Sequence, residues 1–206
     1  MGSLAAGGAA AMGSGAFTAM SAERDADINV VADDSGLIAL VDEQPGDTVH
    51  QTDNPGELAI DFSGMSGDAG VNVNSRYQLG EFADKGWALP DDPLAVNTGS
   101  NVMEDPAFSI VNNDTVNHEI TVSYDIDQSD IGGARVYWQF EDEARQYTID
   151  LTGTTTSGSA TIDGKGADPA PEPGDAVGAA LFIDTRDYNG DPDDLDLSGT
   201  LTVSAD

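Results

Sequence analysis

The chain has 206 residues, with 38 acids against 7 bases and a formal net charge of −31. No basic patch is available to cover phosphates or acidic headgroups, so nucleic-acid binding by counterion release and attraction to anionic lipid are excluded. A hydrophobic content of 39% is enough for a packed core, and the length suits one domain, or one domain with an arm.

The acid is mostly aspartate: 29 Asp against 9 Glu, with 2 Lys (Lys85, Lys165) and 5 Arg. Short, strongly hydrated carboxylates with lysine depleted suit a surface in concentrated salt, where self-repulsion is screened within about 3 Å. The chain therefore reads as a halophile's protein; an acidic mesophilic domain is the plainer alternative. There is no Cys, so disulfides, thiolate metal sites and thiol nucleophiles are absent.

In chain order, residues 1–22 carry no charge and include five glycines. This run is a weak membrane span and fits better as the apolar part of an export signal. Ser14-Gly15-Ala16 places small residues for cleavage after Ala16, which makes 1–16 a leader. No Lys or Arg precedes the apolar run. Either the chain begins inside a longer precursor, or the segment is a flexible Gly/Ala tail.

Short apolar runs then alternate with turn residues. Ile28–Val31, Leu37–Val41, Glu57–Phe62, Phe108–Val111 and Glu119–Ile126 read as strands, as do Ala134–Phe140, Gln146–Leu151, Ser159–Ile162, Ala176–Ile183 and Gly199–Ser204. Ile120-Thr121-Val122-Ser123-Tyr124 shows the period of two most plainly. Turn signals such as Asp33-Asp34-Ser35-Gly36 and Pro173-Gly174-Asp175 separate the runs. Residues 75–106 do not read as strand: a short helix is expected near Leu79–Asp84 in an insertion packing over one edge. Residues 167–174 form a Pro-rich connector. Many short strands at this spacing predict an all-β, antiparallel sandwich with at most one or two short helices.

The chemistry-bearing motifs are sparse. His118-Glu119 is not a zinc-protease helix, because Val122 stands where the second His is needed. Both His50 and His118 read as exposed or hydrogen-bonded residues of a sheet. No nucleophile elbow, P-loop or dinucleotide fingerprint appears, and carboxylates are too numerous for a catalytic pair to be picked out. The expectation is that the chain is not an enzyme and requires no cofactor. Asp187, Asn189, Asp191 and Asp193 place oxygens at every second residue, as a calcium loop needs, although Pro192 occupies the EF-hand glycine position. The alternative for these four is an ordinary acidic surface loop. Asn113-Asp114-Thr115 is an N-glycosylation sequon, with Asn113 as candidate acceptor in an exported chain.

Several segments, in this order, resemble a known family. They are the small-residue site followed by Ala16-Phe17-Thr18; Asp34-Ser35-Gly36-Leu37-Ile38-Ala39-Leu40; Gly70-Val71-Asn72-Val73-Asn74-Ser75 ahead of Phe108-Ser109-Ile110-Val111-Asn112-Asn113; Pro173-Gly174-Asp175-Ala176-Val177-Gly178 leading to Phe182-Ile183-Asp184-Thr185; and the closing run from Leu197 to Ala205. Together they resemble the TasA/camelysin-like secreted fibre-forming family, and are similar to archaeal bundling pilins and small secreted haloarchaeal proteins.

The resemblance implies a jelly-roll-like sandwich that polymerises head to tail, each subunit receiving the N-terminal arm of the next by β-augmentation. Carried to this sequence, residues 17–31 are the arm, with Phe17, Thr18, Met20 and Ala22 as its inserting groups. Ile28 and Val30 begin the subunit's own sheet, and residues 32–206 form the sandwich domain. The implied role is a structural subunit of an extracellular or cell-surface filament or pilus of a halophilic archaeon, for adhesion or a biofilm matrix. Its partner is itself; no nucleic acid is bound and the mature chain does not insert in a membrane. The alternative is a monomeric secreted binding module, for calcium or glycan, that does not polymerise.

Overall fold

The computed structural model describes residues 26–32, 37–42, 48–53, 57–62, 70–83, 98–99, 102–142, 145–163 and 170–206. Fourteen strands occur in this order: β1 (Asp27–Ala32), β2 (Ile38–Asp42), β3 (Val49–Gln51), β4 (Glu57–Asp61), β5 (Arg76–Leu79), β6 (Phe82–Ala83), β7 (Thr98–Gly99), β8 (Phe108–Asn112), β9 (Ile120–Ile126), β10 (Arg135–Glu141), β11 (Gln146–Thr152), β12 (Ser157–Ile162), β13 (Ala176–Asp184) and β14 (Gly199–Ala205). Helix among the described residues is confined to two single 3-10 turns, Val102–Glu104 and Pro192–Asp194.

The strands form two sheets packed as a β-sandwich. One runs β12-β9-β14-β1-β4-β3; the other runs β11-β10-β13-β8-β2, with β5 also on β13. Pairing is antiparallel except for β1 with β14 and the small β6–β7 pair. Period-two patterning explains the layering. In β9, Ile120, Val122, Tyr124 and Ile126 are buried while Asp125 is exposed. In β1, Ile28 and Val30 are buried between exposed Asp27 and Asn29. All ten strands expected from the sequence are present. β3, β5, β6 and β7 are additional, at two to four residues each.

Strands β10 and β13 are buried on both faces. Val136, Trp138 and Phe140 enter the main core with Val177, Ala179, Leu181 and Ile183. The alternate residues Tyr137, Ala180 and Phe182 form a second, smaller cluster with Phe82 and Val102. Part of the 75–106 insertion therefore covers the outer face of this sheet, and β5 extends its edge, rather than the insertion lying over one edge alone. The turn at Val102–Glu104 is pinned there: Val102 N donates to the buried Glu141 carboxylate at 2.5 Å. Replacing Glu141 by alanine leaves that amide unpaired. The expected cost is about 1–3 kcal/mol, read as a lower thermal midpoint.

The helix expected near Leu79–Asp84 is not formed over its described residues. Leu79 closes β5 against Leu181, and Phe82–Ala83 is a strand. Gly80 between them has φ +74, and a Cβ there would lie 2.6 Å from Ala107 N. Tertiary pairing with β13 overrides a weak local helix propensity. The remaining residue of that expected helix, Asp84, lies outside the described residues.

The two sheets are joined at one side by β11 and β12. These are consecutive in sequence but belong to different sheets, and the chain turns between them at a Thr152–Thr155 bridge. A Cβ on Gly158 would meet Ile149 Cγ2 at 2.8 Å, so the missing side chain is what lets β12 approach β11. At the other side Gln51 Nε2 of β3 donates to Leu40 O of β2 at 3.4 Å, crossing from one sheet to the other.

Candidate functional site

The acidic loop between β13 and β14 is held at its base by a buried hydroxyl. Thr185 Oγ1 donates to Asn72 O at 2.6 Å and accepts from Ser75 N at 3.0 Å. Arg186 grips Asp184 with two nitrogens, Nε to Oδ1 at 2.9 Å and Nη2 to Oδ2 at 2.6 Å, and Arg76 Nε approaches Asp184 Oδ2 at 3.4 Å. At the far end, Leu195 and Leu197 are buried anchors. Gln128 staples the loop to the β9–β10 connection, donating to Asp194 O and accepting from Asp196 N, both at 3.0 Å.

Between these anchors Asp187, Asn189, Asp191 and Asp193 are all exposed. Asp191 caps the second 3-10 turn, accepting from Asp193 N at 3.2 Å, the ordinary task of an aspartate at a turn start. Tyr188 OH donates to Asp191 O at 3.2 Å. Partial burial, then Asp194, Asp191 and Asp130, push the Tyr188 phenol above its usual range. Among the described residues, no group of three or more His, Asp or Glu side chains is close enough to hold a metal ion.

The loop lies close against the β9–β10 turn. A Cβ on Gly133 would sit only 1.7 Å from Asp187 O. No side chain fits without displacing one backbone from the other. Gly133→Ala is expected to lower stability by about 3 kcal/mol, with a matching fall in thermal midpoint.

The second candidate is the sequon between β8 and β9. Asn113 is exposed, and its backbone N donates to Leu37 O at 2.8 Å. Thr115 is also exposed, with its N donating to Asp114 Oδ1 at 2.7 Å. Beneath the turn is a polar network that the sequence reading did not single out. Buried Asn112 donates through Nδ2 to Val116 O (2.9 Å) and Pro171 O (2.8 Å), and accepts from Asp114 N (3.0 Å). His118, 9% exposed, contacts Asp114 Oδ2 through Nε2 (2.5 Å) and Asp206 O through Nδ1 (2.9 Å). His50 lies exposed on β3. The signal available in the sequence was Asn112 at the end of an apolar strand, a position where a buried amide ties off turns.

The arm residues Phe17, Thr18, Met20 and Ala22 lie outside the described residues. Directly after them Ala26 is buried and β1 takes the centre of its sheet, between β14 and β4. Residues 28–31 of the expected arm are therefore in register with both neighbours. Strand β2 has one strand neighbour among the described residues, β8. Asn113 N meets Leu37 O, and in an antiparallel ladder peptide groups face alternate sides. Hence Ala39 and Val41 face β8, and Ile38 and Leu40 turn their peptide groups to the outer edge. No helix among the described residues is long and apolar enough to cross a membrane.

These features define the class of the protein as an antiparallel β-sandwich with tied-down end loops and a strand edge of apolar residues. No family model, curated protein or solved structure matches the chain.

Proposed function

We propose that the chain is a structural subunit of an extracellular filament, assembled when the N-terminal arm of one copy adds as a strand to the sandwich of the next. The observation that carries the reading is the outer edge of β2. Ile38 and Leu40 are each 5% exposed, and their peptide groups turn toward a side with no strand neighbour among the described residues; there Leu40 O accepts only a long side-chain bond from Gln51, at 3.4 Å, which an added strand would replace. Buried peptide groups require partners, and an open apolar edge is the usual acceptor of an added strand. Val41 beside them is one of two exposed large hydrophobic residues among those described.

The occupant proposed is residues 17–25 of a second copy, ending before the buried Ala26, with Thr18, Met20 and Ala22 on one face of the strand and Phe17 on the other. A nine-residue strand spans about 30 Å, ample for the five residues of β2. Such a contact is head-to-tail and does not close on itself, so it propagates as a filament. The setting is a salt-rich cell surface, for adhesion or matrix formation. Asn113, exposed on its turn, is the proposed glycan acceptor.

Electron microscopy of the intact chain and of a variant lacking residues 17–25, both in molar salt, tests the reading. Filaments are expected from the first and monomers of unchanged circular dichroism from the second. Filaments that survive the deletion, or an intact chain that never assembles, overturn it. Calcium titration in the same buffer addresses the monomeric binding module: a rise in melting temperature that Asp187→Asn and Asp191→Asn abolish moves the reading there.

A further inference from the structure

The two nitrogens of His118 both face acceptors. Nε2 is 2.5 Å from Asp114 Oδ2 and Nδ1 is 2.9 Å from Asp206 O. Neither the Asp114 carboxylate oxygen nor the main-chain oxygen of Asp206 carries a proton to give. A neutral imidazole has one N–H, so it would leave one of these contacts as lone pair against lone pair. We propose that His118 is an imidazolium in the folded protein and works as a pH-sensitive clasp, joining the end of β14 to the sequon turn and releasing it as the pH rises.

Among the described residues, the charged groups of the segments that meet at the clasp favour the cation. The β8–β9 turn brings Asp114, the start of β9 brings Glu119, the Pro171 turn brings Glu172 and Asp175, and the end of β14 brings Asp206. Segments 112–119, 170–175 and 203–206 contain no Lys or Arg. Glu172 and Asp175 engage each other, Glu172 N donating to Asp175 Oδ2 at 2.9 Å. Hydrogen bonding to His118, and then to Thr115 N, holds Asp114 below the usual carboxylate range. The rest of the junction is fastened by groups that do not titrate: His118 N donates to Pro171 O at 3.2 Å and Asp206 N to Glu119 O at 3.0 Å.

The sign follows from the partners. An imidazolium that gains acceptors on folding contributes stability that is complete below its unfolded value, near 6.5, and is lost as pH rises through its folded value. Asp114, depressed from 3.8, contributes above that value and is lost as pH falls. The clasp is tightest between about 4 and 6.5.

The chain has only two histidines, so nitrogen NMR of the imidazole rings in the intact protein reads the state directly, with His50 as internal reference. Both His118 nitrogens are expected to carry protons at pH 6. Protection of the Ser204 and Asp206 amides, corrected for the base-catalysed exchange rate, is expected to fall about tenfold when the ring is titrated. Asp114→Asn, which keeps the turn's shape, is expected to move the His118 midpoint to lower pH. His118→Phe is expected to remove the pH dependence of the two amides; if that variant does not fold, Asp114→Asn and the wild-type spectra suffice. A single neutral tautomer at pH 6, or protection at Ser204 and Asp206 that is flat from pH 5 to 9, overturns the proposal.

Discussion

Replacing Trp138 by alanine is expected to lower the melting temperature by about 10 °C, and scanning calorimetry in molar salt reads it. Trp138 is fully buried at the middle of β10. It stacks on Phe140 with ring centroids 6.0 Å apart and planes 12° from parallel. Phe108 from β8 and Tyr124 from β9 meet it edge-on, at 6.1 and 5.7 Å. Phe108 and Trp138 belong to one sheet and Tyr124 to the other, so this cluster is where the two layers interlock.

Truncation removes one of the largest apolar surfaces in the core and leaves a cavity lined by rings that have few ways to collapse. The expected loss is about 3–5 kcal/mol, and in a chain of this size each kcal/mol shifts the midpoint by about 2–4 °C. Among the described residues Trp138 Nε1 has no hydrogen-bond partner, so the expected loss is one of packing. Trp138→Phe should therefore recover much of it, since an aromatic ring is kept and no donor is missed. A phenylalanine variant as unstable as the alanine one would show that the indole, rather than ring packing, decides the site.

Moving the protein from molar to about 0.1 M salt is expected to destabilise it by several kcal/mol. Over that change the Debye length grows from about 3 Å to about 10 Å. Carboxylates that hardly sense one another in molar salt then repel across a turn. Asp187, Asp191, Asp193 and Asp194 are all exposed within eight residues of one loop. Adjacent like charges cost about 0.2–0.5 kcal/mol each, and an excess of 31 negative charges multiplies such terms. Only 7 bases stand against 38 acids; the opposing ion pairs among described residues include Arg135 with Asp150, Arg186 and Arg76 with Asp184, and His118 with Asp114. Thermal melts across a salt series test this. A midpoint that does not move with salt would return the chain to the acidic mesophilic alternative. Filaments, where two such surfaces meet, are expected to dissociate before the subunit unfolds.

Ten strands were legible because each is long enough to show its period. Ile120-Thr121-Val122-Ser123-Tyr124 states in residues which side faces the core, and β9 carries that pattern with few departures. The strands that escaped notice are too short for any period to emerge. Val49-His50-Gln51 has one buried residue in three and reads as polar loop. The supposed helix at Leu79 failed for a different reason: its outcome rests on pairing with Leu181, about a hundred residues away.

The candidate site divides in the same way. Asn113 and the loop aspartates were visible as motifs, and their exposure agrees with short polar residues in turns. Glu141 was not, and for His118 the sequence offered only an exposed or hydrogen-bonded ring, because nothing local marks a buried carboxylate or names a ring's partners. Both depend on partners from distant segments, Val102 in one case and Asp206 in the other.

The sequence by itself determined the all-β class, the uncharged N-terminal run and the strongly negative charge, since these follow from composition and from a side-chain alternation that is local. Only the tertiary structure decided that β1 lies parallel to β14, that an insertion seals the outer face of β10 and β13, and that His118 sits between two acceptors. Pairing partners are chosen by long-range burial, where the free energy belongs to surfaces brought together by the whole fold and no segment carries it alone.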